Sequence, residues 1–541
     1  MYSRRKVLKM LSTIPVGVTA VGATIEDPQR PVLSANAEMT RAMGPEIFRS
    51  IGVEPVINCR GTFTIIGGSI ERPQVRAAMD AASQNYIQYD ELANGIGQRL
   101  AELTKADWGI VTAGCAAALK HATAACVAGG NPEKLIRIPD LTGFEPTEVI
   151  IPRSSRNQYD HAVRNIGVDM RMVETLEDLE TALNPRTAMI YYLAGSGGPL
   201  DLETIVAAAD RRDVPVLVDA AAEDLTIPNA HLAKGATMVA YSGGKAIRGP
   251  QCAGLLLGPK ELLMAAWQAS SPHHGPGRDN KVGREEMMGM LAAVEAWVNT
   301  DHEAEWETWL SWLDNIASSV TEIDGITTEL EEPTIPGMDH PGEPAPISNH
   351  SPVLHLIWDP DAFGITGEQL AETMGRTKPR IVVGSGHGDD PDRTSINITA
   401  WMMKPEEDAI VADRIKELLT REGEAGSSTM DSPGTVMTGR WNVRVSFFSG
   451  ESEHTLYIEQ QDENWIEGSH RGEFSVRDIA GTVAGSEVKL LSTERQPGDR
   501  IEFIFAGTLS RDGDQMSGDV YLGEYLTASF TATRHDYRGE R

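Results

Sequence analysis

Hydrophobic and polar positions alternate in three different ways along this chain. Within residues 38–300, short apolar runs are separated by longer stretches with helical periodicity. Alternating strands and helices of this kind predict a large α/β domain with a mostly parallel sheet. Residues 301–421 combine long helices with a few strands, which predicts a smaller α+β domain.

The pattern changes again after residues 422–434, a Gly- and Ser-containing stretch that we interpret as a linker. Residues 435–541 contain about eight short segments with period-two alternation, separated by turns, which predicts an all-β barrel or sandwich. Because this region shows no catalytic group that we can recognise, we interpret it as an accessory domain in preference to a ligand-binding one.

Residues 1–37 have the pattern of an export signal. Arg4 and Arg5 precede a hydrophobic position, a leucine and a lysine, as in twin-arginine signals, and residues 10–23 are moderately apolar. That stretch is too short to anchor the chain in a membrane. We therefore expect export to the periplasm or the cell exterior without a membrane anchor; an amphipathic cytosolic N-terminus is the alternative.

Composition restricts the class of function. A length of 541 residues is too great for one core, and a net charge of −30 would repel the phosphates of nucleic acid. The four cysteines and thirteen histidines show no spacing typical of metal ligands. We therefore expect several domains, a small-molecule substrate, no nucleic-acid partner and no metal.

One lysine carries the strongest chemical signal. Lys245 follows two glycines in a small-residue loop, and Asp219 ends the apolar run 214–219. Such a pair suits pyridoxal 5′-phosphate, because the amine can form a Schiff base with the cofactor and the carboxylate can pair with its pyridine nitrogen. Taken alone, however, Lys245 would be interpreted as a surface residue in a glycine turn.

A second turn has the features of a phosphate site. The apolar run 108–112 continues through Gly114, Cys115 and Ala116 into an Ala-rich helix, and free backbone N–H groups at a helix N-terminus attract anions. Close packing of helix on sheet is the alternative explanation. Both turns and Asp219 follow predicted strands, and parallel sheets bind ligands at the carboxyl ends of their strands.

Four segments in the same order carry a resemblance to a known family: residues 111–118, 218–223, 242–254 and 277–286. The chain resembles the selenocysteine synthase-like enzymes, and within them the D-glucosaminate-6-phosphate ammonia-lyase-like proteins, over about residues 45–420. The resemblance implies the fold type I (aspartate aminotransferase-like) architecture, pyridoxal phosphate as cofactor, and a homodimer or larger homo-oligomer.

The resemblance also implies a role for individual residues. Lys245 would bind the cofactor covalently, Asp219 would pair with its ring nitrogen, and Ala221 would lie against its ring. The cofactor phosphate would be held by the Ser242 hydroxyl and by the backbone of Gly114, Cys115 and Ala116.

Basic residues are the candidates for the substrate carboxylate or phosphate, since arginine binds such groups bidentately. Arg278 and Lys281 belong to a basic loop that the family brings near its active site, and Arg156 and Arg380 are further candidates. Either Tyr159 or His161 would stack on the cofactor ring, and the sequence does not choose between them.

The expected reaction follows from these roles. Lys245 would remove the α-proton of an amino acid or amino-sugar acid, and β-elimination with release of ammonia would follow. A transaminase, an aldolase, a racemase, a selenium transferase-like enzyme and an exported binding protein are the alternatives. The acidic charge and the export signal count against selenium transfer to a tRNA.

Overall fold

The computed structural model describes residues 44–333, 351–386, 393–420, 430–460, 464–493 and 501–536. The twin-arginine segment and most of the predicted linker lie outside these ranges. Within the described part of the chain, no helix is both long enough and apolar enough to cross a lipid bilayer.

The described part of the chain begins with an entry segment, residues 44–107, that precedes the strands of the large domain. This segment contains α1 (Glu46–Arg49), β1 (Ile57–Cys59), a 3₁₀ turn (Thr64–Ile66), α2 (Pro73–Ser83) and α3 (Tyr89–Thr104). The strands of the large domain are β2 (Trp108–Thr112), β3 (Glu148–Pro152), β4 (Asp169–Val173), β5 (Thr187–Leu193), β6 (Val216–Asp219), β7 (Met238–Ser242) and β8 (Gly254–Gly258).

These seven strands form one sheet in the order β2-β8-β7-β6-β5-β3-β4. The strands from β7 to β4 are parallel to their neighbours, and only β8 runs against both β7 and β2. The predicted α/β domain with a mostly parallel sheet is therefore confirmed.

Helices cover this sheet, which explains why most of its strands are apolar along their whole length. Residues of β2, β3 and β8 are buried throughout, and they join helix residues in one continuous core. The helices are α4 (Cys115–Ala128), α5 (Pro132–Leu135), α6 (His161–Arg164), α7 (Leu176–Ala182), α8 (Leu202–Asp210), α9 (Ala230–Ala233), α10 (Lys260–Gln268) and α11 (Arg284–Asn299), with 3₁₀ turns at Arg153–Ser155 and Gln158–Asp160.

The small domain has its own sheet and its own core. Its elements are α12 (His302–Val320), β9 (Thr327–Glu331), β10 (Val353–Trp358), α13 (Pro360–Phe363), α14 (Gly367–Arg376), β11 (Ile381–Gly386), β12 (Thr394–Thr399) and α15 (Glu407–Leu419). The sheet order is β1-β11-β12-β10-β9, with Ile57 opposite Ile381 in a parallel pair. The entry strand thus joins the small domain, although we grouped it by chain order with the large one.

The C-terminal region is a closed eight-stranded barrel, which decides between the predicted barrel and sandwich. Alternate residues point inward, and large side chains such as Trp441, Phe505 and Phe530 fill the interior. The strands are β13 (Gly439–Ser446), β14 (Glu451–Gln460), β15 (Trp465–Arg471), β16 (Val476–Ala484), β17 (Glu487–Thr493), β18 (Phe503–Leu509), β19 (Gln515–Tyr521) and β20 (Ala528–Arg534).

Candidate active site

The carboxyl ends of β2, β6 and β7 bring the predicted cofactor residues to one edge of the large sheet. Gly114 follows β2, Asp219 is the last residue of β6, and Lys245 follows β7. The registers between β5, β6 and β7 place Asp219 opposite Leu193 on one side and Ala240 on the other. The structure therefore brings together residues that are more than 100 positions apart in the chain.

The turn at Gly114 leaves room in front of the first turn of α4. Gly114 has a φ of 88° and a ψ of 167°, a conformation that is essentially limited to glycine. A Cβ at this position would meet no atom within 4 Å, so the space before the helix is open. The N–H groups of Cys115 and Ala116 begin a helix of 14 residues and have no acceptor within it. This arrangement fits a phosphate group.

Close contact between this turn and strand β8 depends on a second glycine. A Cβ added to Gly254 would lie 2.4 Å from the carbonyl carbon of Gly114 and 2.7 Å from the nitrogen of Cys115. Any larger residue at position 254 would push the turn away from the sheet. Gly254 therefore fixes the position of the predicted phosphate site, and our sequence analysis assigned it no role.

Asp219 is a buried carboxylate with a partner for each oxygen. The Tyr191 hydroxyl donates to Oδ2 over 2.7 Å, the Ala221 N–H donates to Oδ1 over 3.2 Å, and Cys115 Sγ lies 3.5 Å from Oδ1. Burial raises the pKa of Asp219, whereas these donors and the charge of Lys245 oppose that rise. A protonated ring nitrogen placed beside the carboxylate would favour its ionised form further.

Tyr191 and Asn157 support this carboxylate and were not predicted. Asn157 Nδ2 donates to the Tyr191 hydroxyl over 2.9 Å, so that the hydroxyl hydrogen is free to point at Asp219. Tyr191 lies in the middle of β5, where the sequence pattern indicates only a buried strand residue. Its neighbourhood depends on the pairing of β5 with β6, which no local signal reveals.

The loop that carries Lys245 is held tightly from several sides. Gly243 donates to the Ala253 carbonyl over 2.8 Å, and the Ser69 N–H donates to the Gly244 carbonyl over 2.9 Å. A Cβ at Gly244 would lie 2.3 Å from Oε1 of Gln251. The two glycines are therefore required by packing, and they place the half-buried lysine side chain at the edge of the sheet.

Lys245 lines a cavity of about 620 Å³. Tyr159 also lines the cavity, with its ring centre 6.0 Å from Lys245 Nζ, whereas His161 is exposed and is absent from the cavity wall. Of the two predicted stacking residues, the geometry therefore favours Tyr159. Ala222 contributes to the wall, and the predicted ring contact of its neighbour Ala221 stays a prediction.

All three domains contribute to this cavity. The large domain provides Tyr159, Ala222 and Lys245, and the entry segment provides residues 60–65. The small domain provides four residues and the barrel provides one, as follows: Ser351, Val353, Thr399 and Trp401 from the small domain, and Glu524 from the barrel.

The basic residues that we predicted for the substrate do not line the cavity within one chain. Arg156 forms an ion pair with the fully buried Asp160, at 2.5 Å. Arg380 donates to the carbonyl oxygens of Gly375 and Glu54. Arg278 is exposed and donates to Ser271, and Lys281 is exposed as well. Arg156 and Arg380 are thus used to hold the fold together.

Arg60 is the guanidinium that the described chain does place in the cavity wall. It lies in a turn held by Asn58, whose side chain accepts from the N–H groups of Arg60 and Gly61 and donates to the Gly61 carbonyl. Asn58 is a local turn signal in the sequence, but it does not indicate that Arg60 reaches the cavity.

The donor set fits pyridoxal phosphate. A helix N-terminus with open space in front of it suits the phosphate, and the buried Asp219 suits the ring nitrogen. Ser242, the last residue of β7, forms no side-chain hydrogen bond with a described residue. Among the described residues, no group of three or more His, Cys, Asp or Glu side chains converges as a metal site would require.

Comparison with known proteins gives the same picture. The model of the aminotransferase class-V family matches residues 98–279. The chain is 29% identical to D-glucosaminate-6-phosphate ammonia lyase of Salmonella typhimurium over 303 residues, covering 54% of this chain and 79% of that protein. It is 27% identical to 5′-C-glycyluridine monooxygenase-decarboxylase of a Streptomyces species over 402 residues, covering 71% and 95%.

More distant relatives include L-seryl-tRNA(Sec) selenium transferase of Escherichia fergusonii, 25% identical over 247 residues, of which the match covers half. Among solved structures, a D-glucosaminate-6-phosphate ammonia-lyase superposes with a TM-score of 0.60 at 24% identity, covering 70% of this chain and 99% of that one. The predicted resemblance, the fold type I architecture and pyridoxal phosphate as cofactor are confirmed.

Gly254 provides a test of the phosphate site. We expect Gly254→Ala to weaken binding of pyridoxal phosphate at least about tenfold, since its Cβ would displace the Gly114 turn. The matched control is Gly95→Ala in α3, where a Cβ meets no atom within 4 Å. Equilibrium titration with the cofactor, together with circular dichroism to verify folding, measures the effect. Equal affinity of the folded Gly254→Ala variant and the wild type would contradict this account.

Proposed function

We propose, from the aminotransferase class-V domain at residues 98–279 and its pyridoxal phosphate cofactor, that this protein is a lyase. It would act on an amino acid or an amino-sugar acid with a hydroxyl group at the β-carbon. The observation that supports this proposal is the position of Lys245, which faces a cavity of about 620 Å³ beside the buried carboxylate of Asp219.

Each residue has a distinct task in the proposed reaction. Pyridoxal phosphate supplies an electron sink for the substrate's α-carbon. Lys245 Nζ takes the α-proton, and Asp219 keeps a positive charge on the ring nitrogen beside it. Tyr191 holds Asp219 in place through the 2.7 Å hydrogen bond. The β-hydroxyl then leaves as water with the proton carried by Lys245 Nζ, and the released enamine becomes an imine that water hydrolyses to a 2-oxo acid and ammonia.

Arg60 is the residue that we assign to the substrate carboxylate. It is the one guanidinium in the cavity wall among the described residues, and arginine binds carboxylates bidentately. The turn held by Asn58 fixes the backbone from which the Arg60 side chain extends. The assignment replaces our prediction of Arg156 and Arg380, whose guanidinium groups already bond within the fold.

Ammonia release tests the proposed reaction. We expect ammonia and a 2-oxo acid from at least one 2-amino-2-deoxy sugar acid or 3-hydroxy amino acid. Lys245→Ala should lower the rate by about 10²–10⁴-fold, since it removes the proton acceptor. Arg60→Gln should mainly raise KM, since it removes a carboxylate contact. The control is Lys234→Ala, whose amine pairs with Glu203 outside the cavity and whose loss should change neither constant.

Other products would indicate other reactions. Transfer of the amino group to a 2-oxo acid would indicate a transaminase, inversion at the α-carbon a racemase, and cleavage to glycine and an aldehyde an aldolase. A protein that binds these compounds without converting any of them would be a binding protein. The lyase proposal fails if no 3-hydroxy substrate yields ammonia.

We also propose that two copies of the chain associate. Nine large apolar side chains within residues 47–87 are exposed, with Tyr86 at 97% and Ile65 at 65% exposure. An interface with a second copy would cover such side chains. A dimer would also let Arg278 and Lys281 approach the partner's active site. Sedimentation equilibrium should give twice the chain mass or more, and a stable monomer at micromolar concentration would contradict this.

Export by the twin-arginine route is proposed on the pattern of residues 1–37 alone. The double substitution Arg4→Lys and Arg5→Lys should keep the protein in the cytosol, because the route recognises the arginine pair. Cell fractionation with a cytosolic and a periplasmic marker measures the distribution. Equal export of the variant and the wild type would exclude this route.

A further inference from the structure

The barrel reaches the cavity through the loop between β19 and β20. Leu522, at 7% exposure, fixes the start of this loop in the barrel core, and Gly523 turns the backbone with a φ of 67°. Tyr525 and Leu526 at the tip are largely exposed. Glu524 lies between these anchoring and exposed residues, and its side chain lines the same cavity as Lys245 and Tyr159.

The position of this loop is supported by contacts on the outer face of the barrel. Leu491 and Trp465 point outward by strand alternation, yet they are only 1% and 5% exposed and form a cluster with Tyr521. Burial is the main cause of the raised pKa of Tyr521. Two charges in α14 also affect this pKa: Glu372 raises it and Arg376 lowers it. Tyr521 is the last residue of β19, so the loop begins directly beside the small domain.

The charge of Glu524 is available to a ligand. Glu524 forms no ion pair with any residue that the structure describes. Burial is the main cause of the raised pKa of the Tyr159 hydroxyl, and the negative charge of Glu524 raises it further, so the two side chains lie near each other in the cavity wall.

The charges in the wall are unsuited to a substrate with two anionic ends. Within the described chain, Arg60 and Lys245 are the cations of the wall, and the proposed function uses both of them at the α-amino acid end. A phosphate at the far end of the substrate would find no further cation there and would face Glu524. Hydroxyl or ammonium groups, in contrast, can donate hydrogen bonds to that carboxylate.

We propose that Glu524 determines substrate specificity by binding hydroxyl or ammonium groups at the far end of the substrate and by excluding a phosphate there. The proposal rests on the proposed function for the orientation of the substrate. It distinguishes this chain from the relative named for a 6-phosphate substrate, and it gives the barrel a direct part in substrate recognition.

Binding measurements test this proposal separately from the reaction. The probes are D-gluconate and its 6-phosphate ester, which lack the amino group and so cannot react, measured by calorimetry on the cofactor-loaded protein. We expect the wild type to bind gluconate at least about tenfold more tightly than the ester, because the carboxylate repels the phosphate. Glu524→Gln should reduce this ratio to less than about threefold, and Glu524→Lys should reverse it.

A matched control replaces an equal charge elsewhere on the barrel. Glu453 is exposed on β14 and does not line the cavity, so Glu453→Gln should leave the ratio unchanged. Where a substrate is turned over, Glu524→Gln should change KM more than kcat. Thermal melting of each variant verifies that the loop change leaves the fold intact.

Three results would overturn the proposal. They are an equal ratio in wild type and Glu524→Gln, tighter binding of the ester by the wild type, and no binding of either probe at millimolar concentration. The outcome is independent of the lyase reaction: a protein that releases no ammonia but shows the charge-dependent ratio would retain Glu524 as the selective residue. Ammonia release with an unchanged ratio would retain the lyase and exclude this role.

Discussion

The buried carboxylate of Asp219 is the constraint on which the site depends. An ionised carboxylate removed from water is destabilising by several kcal/mol unless hydrogen bonds and opposite charge compensate. Tyr191 and the Ala221 N–H supply the hydrogen bonds, and the cofactor ring would supply the charge. The fold must therefore hold β5, β6 and the start of α4 in one register, because a slip of one residue would remove the tyrosine from the carboxylate.

Glycines make the remaining distances short enough. Gly114 allows the turn that exposes the helix N–H groups, and Gly254 lets that turn approach β8. Gly243 and Gly244 do the same for the lysine loop, where a side chain would collide with its neighbours. Gly114 meets a backbone requirement, whereas Gly243, Gly244 and Gly254 meet a packing requirement, so the site tolerates little movement of either loop. Such rigidity keeps Lys245 at a constant distance from the buried carboxylate and from the helix N-terminus.

Features encoded in short segments were predictable from the sequence, whereas features that depend on tertiary pairing were not. The alternation of strands and helices, the lysine loop and the Gly114 turn each follow from adjacent residues. Arg156 is an exception: its partner Asp160 is only four residues away, so the local ion pair could have been recognised as a competitor to substrate binding. Arg60 reaches the cavity only because β1 pairs with β11, a contact between residues that are more than 300 positions apart.

The barrel shows the same limit in another form. Its sequence contains no catalytic pattern, and we interpreted it as an accessory domain. In the structure, its outer face lies against the small domain and its β19–β20 loop reaches the cavity, so the cavity wall is complete only when all three domains are in place. Loops on a rigid scaffold are well suited to alter specificity, since they can change without disturbing the core that holds the cofactor. In the proposed reaction, the large domain would carry out the chemistry, and the entry segment and the barrel would select among amino acids of different charge.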